Sequence, residues 1–375
     1  MTRSVEYDNG SGETNTGTDI WLWLIPLILS GVGILMVTSA TSNDVYDKSG
    51  SPFTVGFRQA RFLGLGFAVM LLASCISVNK WRKIAPALWI CSVALTCGTL
   101  IPRIGVSVNG ASRWLRFGRL TFQPSELMVL AVVLAVARLF EKNSSDAKKC
   151  MRTLLVVMGI SAAPILKQPD FGTTVMLVAV CMGMFVERFG WKYPLVLGAV
   201  LLVPIAGLVY LEAYRIARLL AFLDPFKYPS GTGYQIIQSL IAFANGEAWG
   251  AGLGHGLQKL HYLPAGYTDF IYAILGEEVG LPGTMGVLLL FAFWILRCRF
   301  LYKRVRDGFE TSVVWGITLT TLLPFFINIA GVTKLIPLTG MPLPFISYGG
   351  SAMFMAWMRI GVLLRMHKSS TEATA

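Results

Sequence analysis

Long stretches without charged residues are the feature that most restricts how this chain can fold. Runs with no Asp, Glu, Lys or Arg lie at 20–43, 84–102, 193–211, 279–296, 311–333 and 335–358. A helix that crosses a bilayer needs roughly 20 apolar residues. Residues 62–79 also fit, and shorter or once-interrupted candidates lie at 120–140, 153–166 and 171–186. The sequence therefore predicts an all-α polytopic membrane protein with about ten transmembrane helices.

The composition agrees with a membrane environment. The 375 residues are 54% hydrophobic and 14% charged, whereas a soluble domain carries about 25% charged residues. The net charge of +12 could indicate nucleic acid binding, but short connectors such as 79–83 and 297–308 are basic clusters, as cytoplasmic loops usually are. We therefore expect no nucleic acid partner, contact with membrane lipid, and a multi-pass protein with both termini cytoplasmic.

The remaining connectors are long and fall on the outer side in this orientation. Residues 20–366 are expected to form one membrane domain, with a large external loop, 212–270, between spans 7 and 8. Residues 1–19 lack apolar periodicity and are expected to be a disordered cytoplasmic tail, and residues 367–375 a second cytoplasmic tail. Because loops on a rigid scaffold often carry function, a functional site is expected on the outer face.

The outer loop 103–119 combines basic and aromatic residues. Asn109-Gly110 between short apolar stretches predicts a β-hairpin. Arg113 and Trp114 belong to the cluster that follows. An arginine fork matches phosphate oxygens, so the cluster could hold an anionic lipid-linked substrate. It could equally be an interfacial anchor, because Trp and Arg favour the headgroup region.

Two acids lie near predicted helix ends. Glu126 follows Pro124 at the start of a span, so it could cap the helix or serve a function at the membrane rim. Asp170 stands near Lys167 in an elbow between two short spans. These two side chains could simply pair. A charged elbow at membrane depth can also line a cavity, and we favour that interpretation.

The long loop 212–270 mixes amphipathic and glycine-rich segments. Arg215 and Arg218 share one face of a stretch that predicts an interfacial helix ending at Asp224-Pro225. Further on, alternating glycines indicate tight turns or a close approach to a ligand or to another backbone. They are Gly250, Gly252, Gly254 and Gly256.

Three carboxylates occupy a stretch typical of the start of a membrane helix. If 268–296 is helical, Glu277 lies about 12 Å deeper than Asp269, with Glu278 beside it. Acids inside a membrane usually serve function, and a partly desolvated Asp269 suits a general base. The alternative is an aspartate that caps the helix. The Pro- and Gly-rich loop 331–353 is expected to be irregular and to wall the same cavity.

Four segments of the chain form a recognisable set of motifs. In chain order they are "NGASRWLRFGRLTFQPSE", "QPDFGTT", "GTGYQ…GLGHGLQKLHYLPAGYTDF" and "LPFISYGGS". Together they resemble the SEDS family, the bacterial shape, elongation, division and sporulation proteins that include FtsW, RodA and SpoVE. The resemblance covers residues 20–366, and the forms of the first and last segments favour FtsW and SpoVE over RodA, with FtsW the most similar.

The resemblance implies a ten-helix glycosyltransferase of the bacterial cytoplasmic (inner) membrane. Such an enzyme polymerises lipid II, an undecaprenyl-diphosphate-linked disaccharide peptide, into glycan strands at the outer face during cell division. Its implied partners are a class B penicillin-binding protein transpeptidase and other divisome proteins. A base must accept the proton of the attacking sugar hydroxyl. Positive charge must stabilise the departing diphosphate, from arginines such as Arg113 or from a divalent cation, Mg or Mn.

The resemblance also assigns residues. Asp269 matches the family's essential aspartate and is the implied catalytic residue. The implied substrate-binding residues are Arg113, Trp114, Glu126, Lys167, Asp170, Lys259, Ser347 and Tyr348.

The chain departs from the family pattern at three positions. The family usually has "LPEAHTDF" where this chain has "LPAGYTDF", so Ala265 and Tyr267 replace a Glu and a His. The family also commonly has a Lys where Val129 stands. Substrate contacts at these positions are expected to differ, although the aspartate is kept.

Two other functions fit the same residues. Glu126, Asp170 and Glu277 would suit the polar path of a lipid II flippase. A non-catalytic divisome scaffold that recruits a transpeptidase is the third interpretation. The enzyme is favoured because Asp269 is present and a lipid tail needs a groove between spans.

Overall fold

The structure, a computed structural model, describes most of the membrane domain. The described residues are 19–49, 51–102, 104–108, 111–118, 120–143, 146–199, 207, 213–229, 231–260 and 262–372. The predicted disordered tail 1–19 lies outside them except for Asp19, which is ordered and lies 2.6 Å from Arg297. The Asn109-Gly110 turn and much of the predicted span 193–211 also lie outside them.

Helices make up most of the described structure. They are α1 (Trp21–Ser49), α2 (Thr54–Cys75), α3 (Val78–Gly98), α4 (Pro124–Lys142), α5 (Ala147–Lys167), α6 (Phe171–Phe189), α7 (Ala213–Leu223), α8 (Thr232–Gly246), α9 (Ile271–Arg304), α10 (Gly308–Val332) and α11 (Gly350–Glu372). Within the described residues, six of them are long and apolar enough to cross a membrane: α1, α2, α5, α6, α9 and α10. The multi-pass helical fold is therefore confirmed, and the count of ten spans stays a prediction.

Successive long helices run in opposite directions, so their connectors separate onto two sides. Short turns such as 76–77 and 305–307 lie on one side. Arg82 ties these turns together, because its guanidinium lies 2.9 Å from Asp307 and 3.4 Å from Glu141. The long connectors, such as 262–270 and 333–349, meet on the opposite side. We call this side the loop face. The pattern predicted from loop lengths is thus reproduced in space.

A small antiparallel sheet follows α3 on the loop face. It consists of β1 (Gly105–Val108), β2 (Ala111–Phe117) and β3 (Leu120–Phe122), in the order β1-β2-β3. The predicted hairpin is confirmed by the pairing of β1 with β2. The third strand was not predicted, since it is only three residues long. The sheet holds Arg113 and Trp114 over the membrane helices.

Helix α4 lies at the centre of the helical domain. Its residues from Met128 to Leu134 are all nearly inaccessible, because α3, α5, α6, α10 and α11 all pack on it. A helix that is apolar all round is expected to be buried in this way. Its first turn, which carries Glu126, is thereby fixed within the protein interior.

The α9 helix is sharply broken at Gly280, which corrects the predicted continuous helix over 268–296. Gly280 has φ 67° and ψ −154°. The segment before the break folds back beside the segment after it, since the Tyr272 hydroxyl donates to the Thr284 carbonyl at 3.3 Å. The break removes the helical partners of nearby backbone groups. The Glu277 and Glu278 carbonyls instead accept the N–H groups of Ala251 and Gly252, at 2.8 and 3.0 Å.

This fold-back reverses the predicted depths of the acids. Glu278 accepts a hydrogen bond from Ser39 of α1, whereas Asp269 lies in the loop whose Thr268 carbonyl accepts from Ser347. The residue before Ser347, Ile346, packs on Gly33 of α1. Gly33 and Ser39 are six positions apart, which corresponds to about 9 Å along the helix axis. Asp269 is therefore the deeper group, and the prediction that Glu277 and Glu278 lie deeper was wrong.

The connector between α10 and α11 is irregular, as its proline density predicts. Helix α11 begins only at Gly350, so the apolar run 335–358 does not form one span. The chain nevertheless lies at membrane depth, because Gly350 packs against the ring of Phe62 of α2. Prolines remove backbone donors and prevent helix formation, and protein walls make such backbone tolerable in a membrane.

The break at Gly280 generates a stability prediction. In Gly280→Ala, the new Cβ would lie 2.4 Å from the Gly250 nitrogen and 2.8 Å from the Ala248 oxygen, at a φ that costs a further 1 kcal/mol or so. We expect a clear drop in the thermal midpoint in detergent. Gly286→Ala on the same helix is the matched control, because its Cβ meets nothing within 4 Å. Equal midpoints for the two variants would contradict the assigned packing.

Candidate functional site

Asp269 ends a tight turn at the base of the loop face. The Ala265 carbonyl accepts the N–H groups of Thr268 and Asp269, both at 3.1 Å. Phe270, not Asp269, is the residue that precedes α9, and it makes no side-chain capping hydrogen bond. The capping interpretation of Asp269 is therefore wrong. Its half-buried carboxylate is left to face the space above the turn.

Other elements clamp the backbone around Asp269. The Asn328 amide of α10 donates to the carbonyls of Asp269 and Met341, both at 2.7 Å. The Ser347 hydroxyl donates to the Thr268 carbonyl at 2.6 Å, and the Tyr348 N–H donates to the Tyr267 carbonyl at 3.0 Å. Ser347 and Tyr348 therefore hold the turn of the predicted catalytic residue. Asn328 was missed, since nothing local in the apolar run of α10 distinguishes it.

Arg218 of α7 lies close to the Asp269 carboxylate. Its guanidinium donates to the Leu338 carbonyl at 2.9 Å. A Cβ added to Gly340 would lie 3.3 Å from an Asp269 carboxylate oxygen and 4.0 Å from an Arg218 nitrogen, so the two side chains meet beside this glycine. The predicted amphipathic helix is thus confirmed as α7, ending at Leu223. The sequence indicated Arg218 as an interfacial residue, but it did not place it in the site.

Burial and nearby positive charge shift the pKa of Asp269 in opposite directions. Burial raises the pKa of this carboxyl above its usual value, while Arg218, a hydrogen bond from Thr268 and the charge of Arg113 each lower it. Burial is the largest effect. A carboxylate of raised pKa at neutral pH is a better proton acceptor than an exposed aspartate.

Arg113 and Asp170 form a second charged pair on the loop face. Arg113 on β2 lies 3.8 Å from the Asp170 carboxylate and donates to the carbonyls of Gln168 and Pro169, at 3.3 and 2.7 Å. Asp170 also caps α6 by accepting the Thr173 N–H at 3.3 Å. The described ion pair of Asp170 is thus with Arg113 rather than with Lys167.

The other predicted members of this group differ in exposure. Lys167 is exposed at the end of α5, and Trp114 is half-buried on β2, where it pairs with Val106 in the sheet. The structure places both on the loop face beside Asp170, without a described contact to Asp269.

Glu126 pairs with an arginine that was not predicted. Its carboxylate lies 3.1 Å from the Arg359 guanidinium of α11. Gln123 precedes α4 and makes no side-chain capping bond, and the described hydrogen bond of the Glu126 carboxylate is to Arg359. Glu126 also interacts electrostatically with Asp170. The pair from α4 and α11 therefore continues the row of charges that begins at Arg113.

Glu277 and Glu278 hold the glycine-rich segment 250–258. Glu277 accepts the N–H groups of Leu257 and Gln258, both at 3.1 Å, and a hydrogen bond from Asn245. Glu278 accepts the Gly254 N–H at 3.1 Å. The predicted close backbone approach of the glycines is confirmed, since Gly250 packs on the Glu278 backbone. Glu277 and Glu278 therefore stabilise the fold of this segment.

Lys259 is held by Glu278 in the protein interior. Its ammonium lies 3.1 Å from the Glu278 carboxylate and also donates to the Gly254 carbonyl. The two side chains are 5% and 0% exposed, so the lysine charge is largely compensated. Lys259 also lines a cavity of about 210 Å³ beside the Asp269 turn, together with Ala40, Leu263, Pro264, Ala265, Gly266, Tyr267 and Ile274.

The side chains near Asp269 do not form a protein-only metal cage. No group of three or more His, Cys, Asp or Glu suited to a metal ion occurs among the described residues, and the neighbours of Asp269 include the cations Arg218 and Arg113. Magnesium sites typically use one or two carboxylates plus substrate phosphates. Asp269 alone fits the protein part of that donor set, so a divalent cation stays a prediction.

These features define a helical multi-pass membrane protein whose loop face carries a half-buried acid under the influence of two arginines. The model of the FtsW/RodA/SpoVE family, described as cell cycle proteins, matches residues 20–372. The chain belongs to this family.

Two relatives show how similar this sequence is to members of the family. The probable peptidoglycan glycosyltransferase FtsW of Geobacter sp. (strain M18) is 36% identical over 354 residues, which cover 93% of this chain and 96% of that protein. Stage V sporulation protein E of Bacillus subtilis (strain 168) is 36% identical over 359 residues, which cover 95% and 98%. The chain therefore spans nearly the full length of both.

Solved structures share the fold. A chain of a peptidoglycan synthase complex that coordinates polymerization and crosslinking has a TM-score of 0.78 at 24% identity, covering 94% of this chain and 98% of that chain. The rod shape determining protein RodA of Thermus thermophilus has a TM-score of 0.70 at 23% identity, covering 94% and 97%. The helical architecture is thus common to all three.

The buried Lys259–Glu278 pair generates a prediction that needs no activity assay. Glu278→Gln removes a buried charge and leaves the Lys259 ammonium uncompensated, so we expect a loss of about 3–5 kcal/mol in stability. Adding Lys259→Met removes the second charge and should restore most of the thermal midpoint. Glu372→Gln is the control, because its pair with Arg365 is exposed and should be worth under about 1 kcal/mol. A double variant no more stable than Glu278→Gln would contradict the pairing.

Proposed function

We propose that this chain is a peptidoglycan glycosyltransferase that polymerises lipid II into glycan strands. The observation that carries the proposal is the half-buried Asp269 between Arg218 and Arg113, with its pKa raised by burial. The names of the relatives support the same activity, since several at 35–36% identity are probable peptidoglycan glycosyltransferases.

The proposed reaction divides between the acid and the arginines. Asp269 accepts the proton of the acceptor sugar's 4-hydroxyl, and the oxygen attacks the anomeric carbon of the donor sugar. The new C–O bond replaces the bond to the diphosphate, which leaves as undecaprenyl diphosphate. Arg218 and Arg113 stabilise the charge that develops on the departing group. Asp269 is the residue that would hold Mg or Mn, and the bound ion would supply further positive charge to stabilise the departing diphosphate.

The biological setting is part of the proposal. We place the chain in the bacterial inner membrane with cytoplasmic termini, so that the loop face is external. A relative in fold comes from a complex that couples polymerization with crosslinking, which supports a class B penicillin-binding protein as partner. The similarity to FtsW relatives supports a role in cell division among the divisome proteins.

The first test compares lipid II polymerisation by wild type and Asp269→Asn. Each is purified with its cognate penicillin-binding protein carrying a disabled transpeptidase. Loss of a general base should lower the rate by about 10²–10⁴-fold. Asp224→Asn, an exposed acid of the same face, should keep the wild-type rate.

The possible outcomes separate the alternatives. Full activity of Asp269→Asn would remove Asp269 from the chemistry. If folded wild type makes no glycan but moves lipid II across vesicle membranes, the flippase interpretation replaces the enzyme. Neither activity, with partner binding intact, would favour the scaffold.

The pH dependence of the rate provides a second test. A base works only when deprotonated, so the rate should fall as pH drops through the raised pKa of Asp269. Arg218 lowers that pKa. In Arg218→Gln the pKa should therefore rise further, and the acid limb of kcat/KM should move to higher pH. Lys227→Gln, an exposed cation near α7, should leave the limb in place. An unmoved limb in Arg218→Gln would show that Arg218 does not act on the base.

A further inference from the structure

Glu126 needs a cation inside the membrane domain. It stands in the first turn of α4, the central helix, and its side chain is only 20% exposed. A carboxylate at such a position must be paired or face water, because hydrocarbon cannot solvate its charge. Asp170 also interacts electrostatically with Glu126, but as an acid it repels the Glu126 charge and does not compensate it.

Helix α4 itself does not supply this cation. A basic residue three positions after an acid lies beside it on the same helix face. That position is Val129, which is apolar and 2% exposed. The partner must therefore come from another element.

Arg359 of α11 fills this role across a helix interface. The residue is 7% exposed and lies among buried apolar residues such as Trp357 and Ile360. Its Nη2 lies 3.1 Å from Glu126 Oε2, and its Nε donates to the Met355 carbonyl at 3.2 Å. The guanidinium is thus held by its own helix and aimed at the acid.

We propose that Arg359 is a positioning residue for the site, supplying from α11 the cation that the i+3 position of α4 lacks. It acts through Glu126 and does not itself touch substrate. Without it, Glu126 and Asp170 would share the positive charge of Arg113, and Arg113 would move from its carbonyl contacts toward Glu126. The inference rests on the proposed function, since the site is the one assigned to lipid II.

The test is to move the charge from one helix to the other. Arg359→Ala should lower lipid II polymerisation by about a hundredfold, the cost of misplacing a charged group by about 1 Å. Arg359→Lys should keep most of the rate. The double variant Val129→Lys with Arg359→Ala restores a cation beside Glu126 and should recover the rate to near that of wild type. Lys368→Ala, which removes an exposed cation from the same helix, is the matched control.

The outcomes decide the proposal in each case. A folded double variant as slow as Arg359→Ala overturns it, because a structural role for the arginine alone would explain the loss. If Arg359→Ala does not fold, recovery of monodisperse protein by Val129→Lys supports the exchange of charge positions, and failure to recover overturns it.

The proposed function can fail separately. If wild type makes no glycan, the same variants are compared by binding of lipid II to protein in nanodiscs. Weaker binding by Arg359→Ala that is restored in the double variant supports the inference. Equal binding by wild type, Arg359→Ala and the double variant overturns it.

Discussion

Backbone amides at membrane depth must find acceptors inside the protein, and the loop face depends on how α9 meets this requirement. The break at Gly280 exposes the carbonyls of Glu277 and Glu278, and both take up N–H groups of the glycine-rich segment. The carboxylates of the same two residues accept three more. One interrupted helix therefore satisfies the loop beside it. That loop in turn leads directly into the turn that presents Asp269.

Acids of the same type serve different purposes in this interior. Glu277 and Glu278 accept hydrogen bonds from backbone N–H groups and from side chains, so they hold the fold. Asp170 combines a helix cap with the Arg113 pair. Asp269 is different because its backbone, rather than its carboxylate, carries the structural hydrogen bonds. Its carboxylate therefore stays available for chemistry, which the general expectation for intramembrane acids could not distinguish.

Features encoded locally could be predicted, and features made by distant contacts could not. Apolar runs predicted most helices, the β-hairpin signal predicted β1 and β2, and paired arginines predicted α7. The fold-back at Gly280 was missed because glycines and a proline are common in membrane helices, so those around Gly280 do not by themselves reveal a reversal. Arg359 and Asn328 were missed for a related reason. Each acts on a residue more than fifty positions away, and only the packing of α10 and α11 brings them there.

The basic side chains of the loop face fall into two groups, according to whether each one binds a carboxylate or a backbone carbonyl oxygen. Arg359 and Lys259 are bonded to carboxylates, so their charges are compensated within the protein. Arg113 and Arg218 are hydrogen-bonded to neutral carbonyls of Gln168, Pro169 and Leu338, and Arg113 also lies 3.8 Å from the Asp170 carboxylate. A carbonyl fixes a guanidinium without cancelling its charge. Arg113 and Arg218 both lower the pKa of Asp269, so they place a positive potential around it, which is what a departing diphosphate requires in the proposed reaction.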